Sequence, residues 1–321
     1  MSECPEVTSP SPRQSVAIVV LLVVLVAIPA AITLTTVKVP GQLIISSQDP
    51  TPHGYTVSLL LWILPILALA VWLIPAQHLK IPRHAFWLTM AILGPLGCGL
   101  DFFFANRFFV FLNPLATMGI TAPALHGGVP IEEYIFYLSG FMVALLLYIW
   151  FDEYWLRAYS VPQQIIGKLV GLHWPSLILG LFLVIAGIMT KKMYGTPGFP
   201  GYFIFIVLMG FVPCSLFLPA VRPNINWRAF STTLFFTVLV GLMWEVTLAA
   251  PYKWWGYQHD EMLGIFIRGW SCLPLEAVLV WISLTYSTVI WFHTLKLWVL
   301  RREERKHATE SEIVVVTASG S

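Results

Sequence analysis

Five acidic residues lie in or beside long apolar runs. Glu132 and Glu133 follow Pro130 in HGGVPIEEYIFYLSG (residues 126–140), and Glu276 follows Pro274 in LPLEAVLVWISL (residues 273–284). Asp101 lies in GLDFFFANRFF and Glu245 in LMWEVTLAAPY. Carboxylates at membrane depth are costly and are retained mostly at functional sites. Their spacing is regular: Asp101 to Glu132 and Glu245 to Glu276 are each 31 residues, and the second pair repeats the first 144 positions on. The same shift takes Pro75 to Pro219, Phe86 to Phe230 and Pro130 to Pro274. Neighbouring helical residues point about 100° apart, so only one of Glu132 and Glu133 can face a bundle axis. Glu132 has an acidic counterpart, whereas Glu133 maps to Ala277. Glu132 is therefore expected to face inward, with Glu133 at the interface beside it.

Carboxylates crowded together in a low dielectric cannot all stay ionised, and one that keeps its proton is a general acid at neutral pH. No cation is placed to neutralise these acids at depth; Arg107, Lys253 and Arg268 are candidates from the loops. Aromatic residues crowd the same stretches, among them Phe136, Tyr137, Trp244, Trp255, Tyr257 and Trp281. Most fit an interfacial aromatic belt, but some π-faces could stabilise a carbocation. Acids and aromatics in a water-poor site suit protonation of an alkene, ring closure, and return of a proton to a carboxylate. His126 and His259 lie in loops near the acids, but no HxxxH or HExxH occurs, so no metal site is expected. A proton-relay role for His126 stays open.

Helices must position these groups. The 321-residue chain is 58% hydrophobic and 11% charged, where soluble domains are about a quarter charged. This is the composition of a polytopic membrane protein, and a net charge of +2 gives no reason to expect a nucleic-acid partner. The four cysteines have no ligand spacing and read as reduced, small apolar residues. Eight segments approach the ~20 apolar residues that span a bilayer: 16–37, 56–75, 84–104, 130–151, 173–190, 201–221, 228–250 and 273–295. The first could be a signal peptide, but it is longer than a typical hydrophobic core of one. The expected fold class is all-α, a polytopic membrane bundle of about eight helices containing two parallel three-helix repeats. In order these are an N-terminal tail (1–15), a first helix and loop (16–55), repeat one (56–151), a connecting helix and loops (152–200), repeat two (201–295) and a solvated tail (296–321).

Eight crossings place both termini on one side, with twelve Lys and Arg there against six opposite. The positive-inside rule then puts both termini in the cytoplasm, in the cell (inner) membrane. Asp101 ends one span and Glu132 opens the next, so both lie at one membrane face, and Glu245 and Glu276 lie at that same face. Pro130 and Pro274 are expected to start helices. The glutamates after them fall in a first turn, where the helix dipole favours negative charge, whereas Asp101 and Glu245 lie near helix ends, where it does not. Those two need other partners.

VPIEEYIFYLSG, its upstream pattern and the tandem arrangement resemble the membrane-integral lycopene cyclase family, found as small paired subunits in some bacteria and as fused domains in fungi. HDEMLGIFIRGWSCLPLEAVLVW is similar to that family's D-P-x4-G-x-R-x4-5-P-x-E-E run through Asp260, Gly264, Arg268, Pro274 and Glu276. The first unit departs from it, with Asn113 in place of the aspartate and no arginine after Gly119, and the second unit has Ala277 where a second glutamate is usual. The resemblance covers roughly residues 56–295. It implies redox-neutral closure of β-ionone rings on the linear ends of lycopene, with Glu132 and Glu276 foremost in acid–base work. The repeat spacing adds Asp101 and Glu245 as catalytic candidates, with Glu133 beside them, and Trp244, Phe136, Tyr137, Arg268 and His126 are candidates for binding substrate. The resemblance implies a hydrophobic polyprenyl or carotenoid substrate taken from the lipid bilayer, with carotenoid-pathway enzymes as partners.

No GxGxxG follows a strand, GPLGCG at 94–99 has the wrong spacing, and Asp-rich metal boxes are absent, so no nucleotide or metal cofactor is expected. Three alternatives stay open. One is a related membrane cyclase acting on a prenylated aromatic or shorter terpenoid. Another is a proton-coupled transporter, since parallel repeats and intramembrane acids also suit transport. The last is an assembly protein whose acids only pair helices.

Overall fold

The computed structural model describes residues 51–79, 81–125, 127–164 and 169–319, with side chains through residue 306. The expected span at 16–37 and His126 lie outside these residues. In chain order the long helices are α1 (Gly54–Ala76), α2 (Arg83–Phe108), α3 (Ile131–Trp155), α4 (Trp174–Met193), the consecutive pair α5 (Gly201–Cys214) and α6 (Leu218–Asn224), α7 (Trp227–Ala249) and α8 (Leu275–Ser319). Among the described residues six helices are long and apolar enough to cross a membrane, or seven if α5 and α6, bent by 53°, form one span. Pro213 and Pro219 bracket that bend, and each removes a backbone donor.

Two features depart from the sequence expectation. Helix α8 runs on past residue 295 through RREERK, because these residues are good helix formers whether or not they are apolar. The chain is also not purely α. Three short antiparallel pairs occur: β1 (Phe109–Val110) with β4 (Gly256–Tyr257), β2 (Thr121–Ala124) with β3 (Gly127–Pro130), and β5 (Phe266–Ile267) with β6 (Leu273–Pro274). Strands of two to four residues are too short to leave a periodic signal.

Helices α3 and α8 form the most buried pair. Helices α2 and α7 flank both, α1 leans on α3, α5 leans on α8, and α4 packs outside on α5. Both central helices start in the same way. A 3₁₀ turn (Pro114–Ala116 or His259–Glu261) leads to a hairpin, β2–β3 or β5–β6. The last strand residue is Pro130 or Pro274, and Glu132 or Glu276 follows in the first helical turn. The prolines thus stand just before the helices rather than at their first residue.

The flanking helices match in the same way. Thr89 of α2 and Thr233 of α7 are fully buried and donate to Ala85 O and Ala229 O one turn back. Gly97 and Gly241 bring each helix close to the central pair. A Cβ on Gly97 would stand 2.9 Å from the Phe141 ring, and one on Gly241 would overlap the Trp281 indole. Asp101 and Glu245 lie one turn after these glycines, so the close approach carries both carboxyls inward. Gly241→Val is expected to cost about 1–3 kcal/mol through overpacking. That would appear as a melting temperature several degrees lower in detergent, whereas Met243→Val, at an exposed position, leaves it unchanged.

Candidate functional site

Where α3 and α8 begin, the bundle holds a small, partly open cavity with about 30 Å³ of free space. Its wall includes Glu133, Phe136 and Tyr137 of α3, Val280, Trp281 and Leu284 of α8, Glu245 of α7, and Tyr55, Tyr202, Trp255 and Tyr257. Phe136–Tyr137 and Val280–Trp281 occupy matching positions, so both halves build the wall. No lysine or arginine lines it among the described residues.

Each carboxyl has a distinct environment. Glu245 accepts twice: Trp281 Nε1 donates to Oε1 at 2.9 Å, and the Tyr257 hydroxyl donates to Oε2. These donors answer the unfavourable dipole at the end of α7, where the chain also widens into a π-helical turn over Glu245–Ala249. Such turns recur at functional sites. Tyr257 lies outside the spans, and burial together with the Glu245 charge pushes its phenol well above the usual range, so it stays a donor at ordinary pH. Glu133 Oε1 accepts from the Tyr55 hydroxyl at 2.5 Å. Asp101 is 2% exposed, and its Oδ2 has no hydrogen-bond partner among the described residues. Asp101, Glu133 and Glu245 lie near enough to influence one another, and Tyr137 lies near all three.

Glu132 and Glu276 are also fully buried, and the Oε2 of each has no hydrogen-bond partner among the described residues. Glu132 Oε1 accepts from Met118 N at 2.7 Å and from Thr56 Oγ1 at 2.5 Å, and Glu276 Oε1 accepts from Leu263 N at 2.5 Å. Each therefore ties down the loop ahead of its own hairpin. The carbonyls of those loops are held too. His53 N donates to Leu115 O at 2.9 Å, and His53 Nδ1 lies 2.9 Å from Thr117 O. In the second loop, buried Lys191 of α4 donates through Nζ to His259 O at 3.1 Å and Met262 O at 2.6 Å. Arg107 pairs with Glu261 of the same loop at 3.3 Å. The loop fixed in this way presents Tyr257 to Glu245.

Both members of the glutamate pair are buried. Glu133, which lacks an acidic counterpart, is on the cavity wall, and Glu132 is against a loop. Phe136, Tyr137, Glu133 and Glu245 come together, with Asp101 beside them. Trp244 is buried behind the wall, its ring 5.1 Å from Phe136 and 4.7 Å from Trp255. Arg268 is exposed and is not a wall residue. Tyr55 and Tyr202 escaped the sequence reading. Both follow a glycine at the start of a helix, Gly54–Tyr55 and Gly201–Tyr202, but 147 residues apart, so a fixed shift of 144 passes over them.

Among the described residues no group of three or more His, Cys, Asp or Glu is arranged to hold a metal. Set against known protein families, curated proteins and solved structures, the chain matches none. Chemically, the arrangement offers one doubly anchored carboxyl acceptor, a second carboxyl of a different environment, and aromatic faces around a small space. Lys191→Met should free two loop carbonyls at a cost of about 1–3 kcal/mol. Hydrogen exchange should then quicken roughly tenfold across residues 256–264, with the β2–β3 hairpin unchanged.

Proposed function

We propose that this chain is an acid-initiated, redox-neutral cyclase that closes a ring on the end of a linear polyprenyl chain within the membrane, of the carotenoid (lycopene) end-group type. The observation that carries the reading is the single aromatic-walled cavity holding both Glu133 and Glu245. In this mechanism Glu133 delivers its proton to the terminal C=C of the substrate, leaving a tertiary cation. The electron pair of the neighbouring C=C forms the new C–C bond, and the positive charge moves onto a ring carbon. Glu245, held by Tyr257 and Trp281, takes the proton from the adjacent carbon, and its C–H electrons become the ring C=C. One proton enters and one leaves, so substrate and product are isomers. The faces of Tyr55, Phe136, Trp255 and Trp281 shelter the cation from water.

The proposal includes the tandem arrangement: two parallel three-helix units among eight spans, with both termini cytoplasmic. The matched Thr89 and Thr233, Gly97 and Gly241, Asp101 and Glu245, and Glu132 and Glu276 support a duplication. The reading differs from the family resemblance in one respect, assigning proton transfer to Glu133 and Glu245 and loop anchoring to Glu132 and Glu276.

The test is pigment analysis of a bacterial host that accumulates lycopene. The native chain should turn red cells orange or yellow. Glu133→Gln and Glu245→Gln should each slow cyclisation by at least about a hundredfold. Glu132→Gln, which keeps an amide oxygen for Met118 N, should lose far less. Lycopene persisting beside membrane-inserted native chain would reject the carotenoid reading.

A further inference from the structure

Helices α2 and α5 both pack on α8. Near the cavity they touch through Phe104, Phe108 and Phe205, with ring centroids 5.1 and 5.4 Å apart. Farther along they part, leaving a fissure with about 80 Å³ of free space. Leu96 and Met209 form part of its wall and are 43% and 51% exposed, so the fissure opens on the outer, apolar surface of the bundle. At its inner end Tyr137, Tyr202, Val280 and Leu284 belong to both the fissure and the carboxylate cavity. Besides the two tyrosines its polar groups are the Trp291 indole N–H and the hydroxyls of Ser283 and Ser287, and Ser287 is turned back onto Ser283 O at 2.7 Å. Such a wall is mostly apolar and carries no charge. It suits a narrow hydrocarbon rather than a lipid headgroup.

The matching place in the first half is closed. Counted from the two Gly-Tyr pairs, Trp62 stands where Met209 stands in the second half. Trp62 is fully buried, stacked on Trp281 at 4.7 Å and edge-on to Phe136 and Trp244 at 6.1 and 5.9 Å. The acid is unmatched as well, since Ala277 stands where Glu133 would recur. The two stretches thus differ both in the acid and in the space beside it. We infer that the fissure between α2 and α5 binds the shaft of a linear, uncharged isoprenoid chain that enters end first from the bilayer, one end per visit. The binding site stands on the geometry alone, and the one-end rule rests on the cyclase reading. A chain with two reactive ends must then withdraw between ring closures, so a monocyclic product enters the membrane pool before a dicyclic one.

Full-length protein in lipid nanodiscs would be photolabelled with a diazirine-bearing linear isoprenoid hydrocarbon, with unlabelled lycopene as competitor. Adducts are expected on residues 93–100 and 205–210. Lycopene should compete them away, and Leu96→Trp/Met209→Trp should reduce them at least tenfold without lowering the melting temperature. Labels spread evenly onto exposed α4 side chains such as Ile178 and Phe182, or insensitive to the tryptophans, would overturn the site. Adducts confined to residues 16–37 would overturn it too, because the chain's own apolar segment would then occupy the slot. In the lycopene host the double-tryptophan variant should leave the cells red. If it cyclises as fast as the native chain, the slot fails and the cyclase reading stands. If the native chain makes no ring but labelling follows expectation, the cyclase reading fails and the slot stands. A time course should show monocyclic product rising and then falling, and dicyclic product without that phase would overturn the one-end rule.

Discussion

A carboxyl group removed from water must be given donors or share its proton, because an isolated buried charge is too costly to keep. Most of this bundle's polar architecture answers that constraint. Glu245 has Tyr257 and Trp281, Glu133 has Tyr55, and Glu132 and Glu276 have the backbone N–H groups of their loops. The second loop must be held to bring Tyr257 in, which gives Lys191 of the outer helix α4 its place. Glycines at 97 and 241 are needed because a side chain there would push Asp101 and Glu245 away from the central helices.

The starts of the two central helices match, and the site beside them does not. Matching hairpins, prolines and first-turn glutamates start α3 and α8, and β1 pairs with β4 across the two halves. Yet Glu133 has no equivalent, and Trp62 fills the space that Met209 leaves open. In the proposed reaction, symmetry supplies a rigid frame and the differences supply direction: one carboxyl gives a proton, another receives it, and substrate approaches from one side.

Much of this was legible in the sequence. Apolar length alone located the starts of the long helices to within a few residues, six of them long and apolar enough to cross a membrane, or seven if the bent pair is one span. The phase of α3 was not legible. Hairpin β2–β3 sets how the helix enters, so repeat logic favoured Glu132 while the chain turns Glu133 to the cavity. Tyr55 and Tyr202 were hidden by a three-residue change in offset. Lys191 read as a cation at the edge of a span, and only the folded loop reveals the two carbonyls it serves. Helix α8 outran its apolar stretch because helix propensity and hydrophobicity are separate properties.

The central claim is that Glu133 and Glu245, from different halves, act on one substrate end in one cavity. A double-variant cycle on cyclisation rate, using Glu133→Gln, Glu245→Gln and both together, tests it most directly. Residues that work as a unit are strongly non-additive, so the double variant should be about as slow as the slower single variant. Losses that multiply would show that the two carboxyls act independently, and would contradict the account.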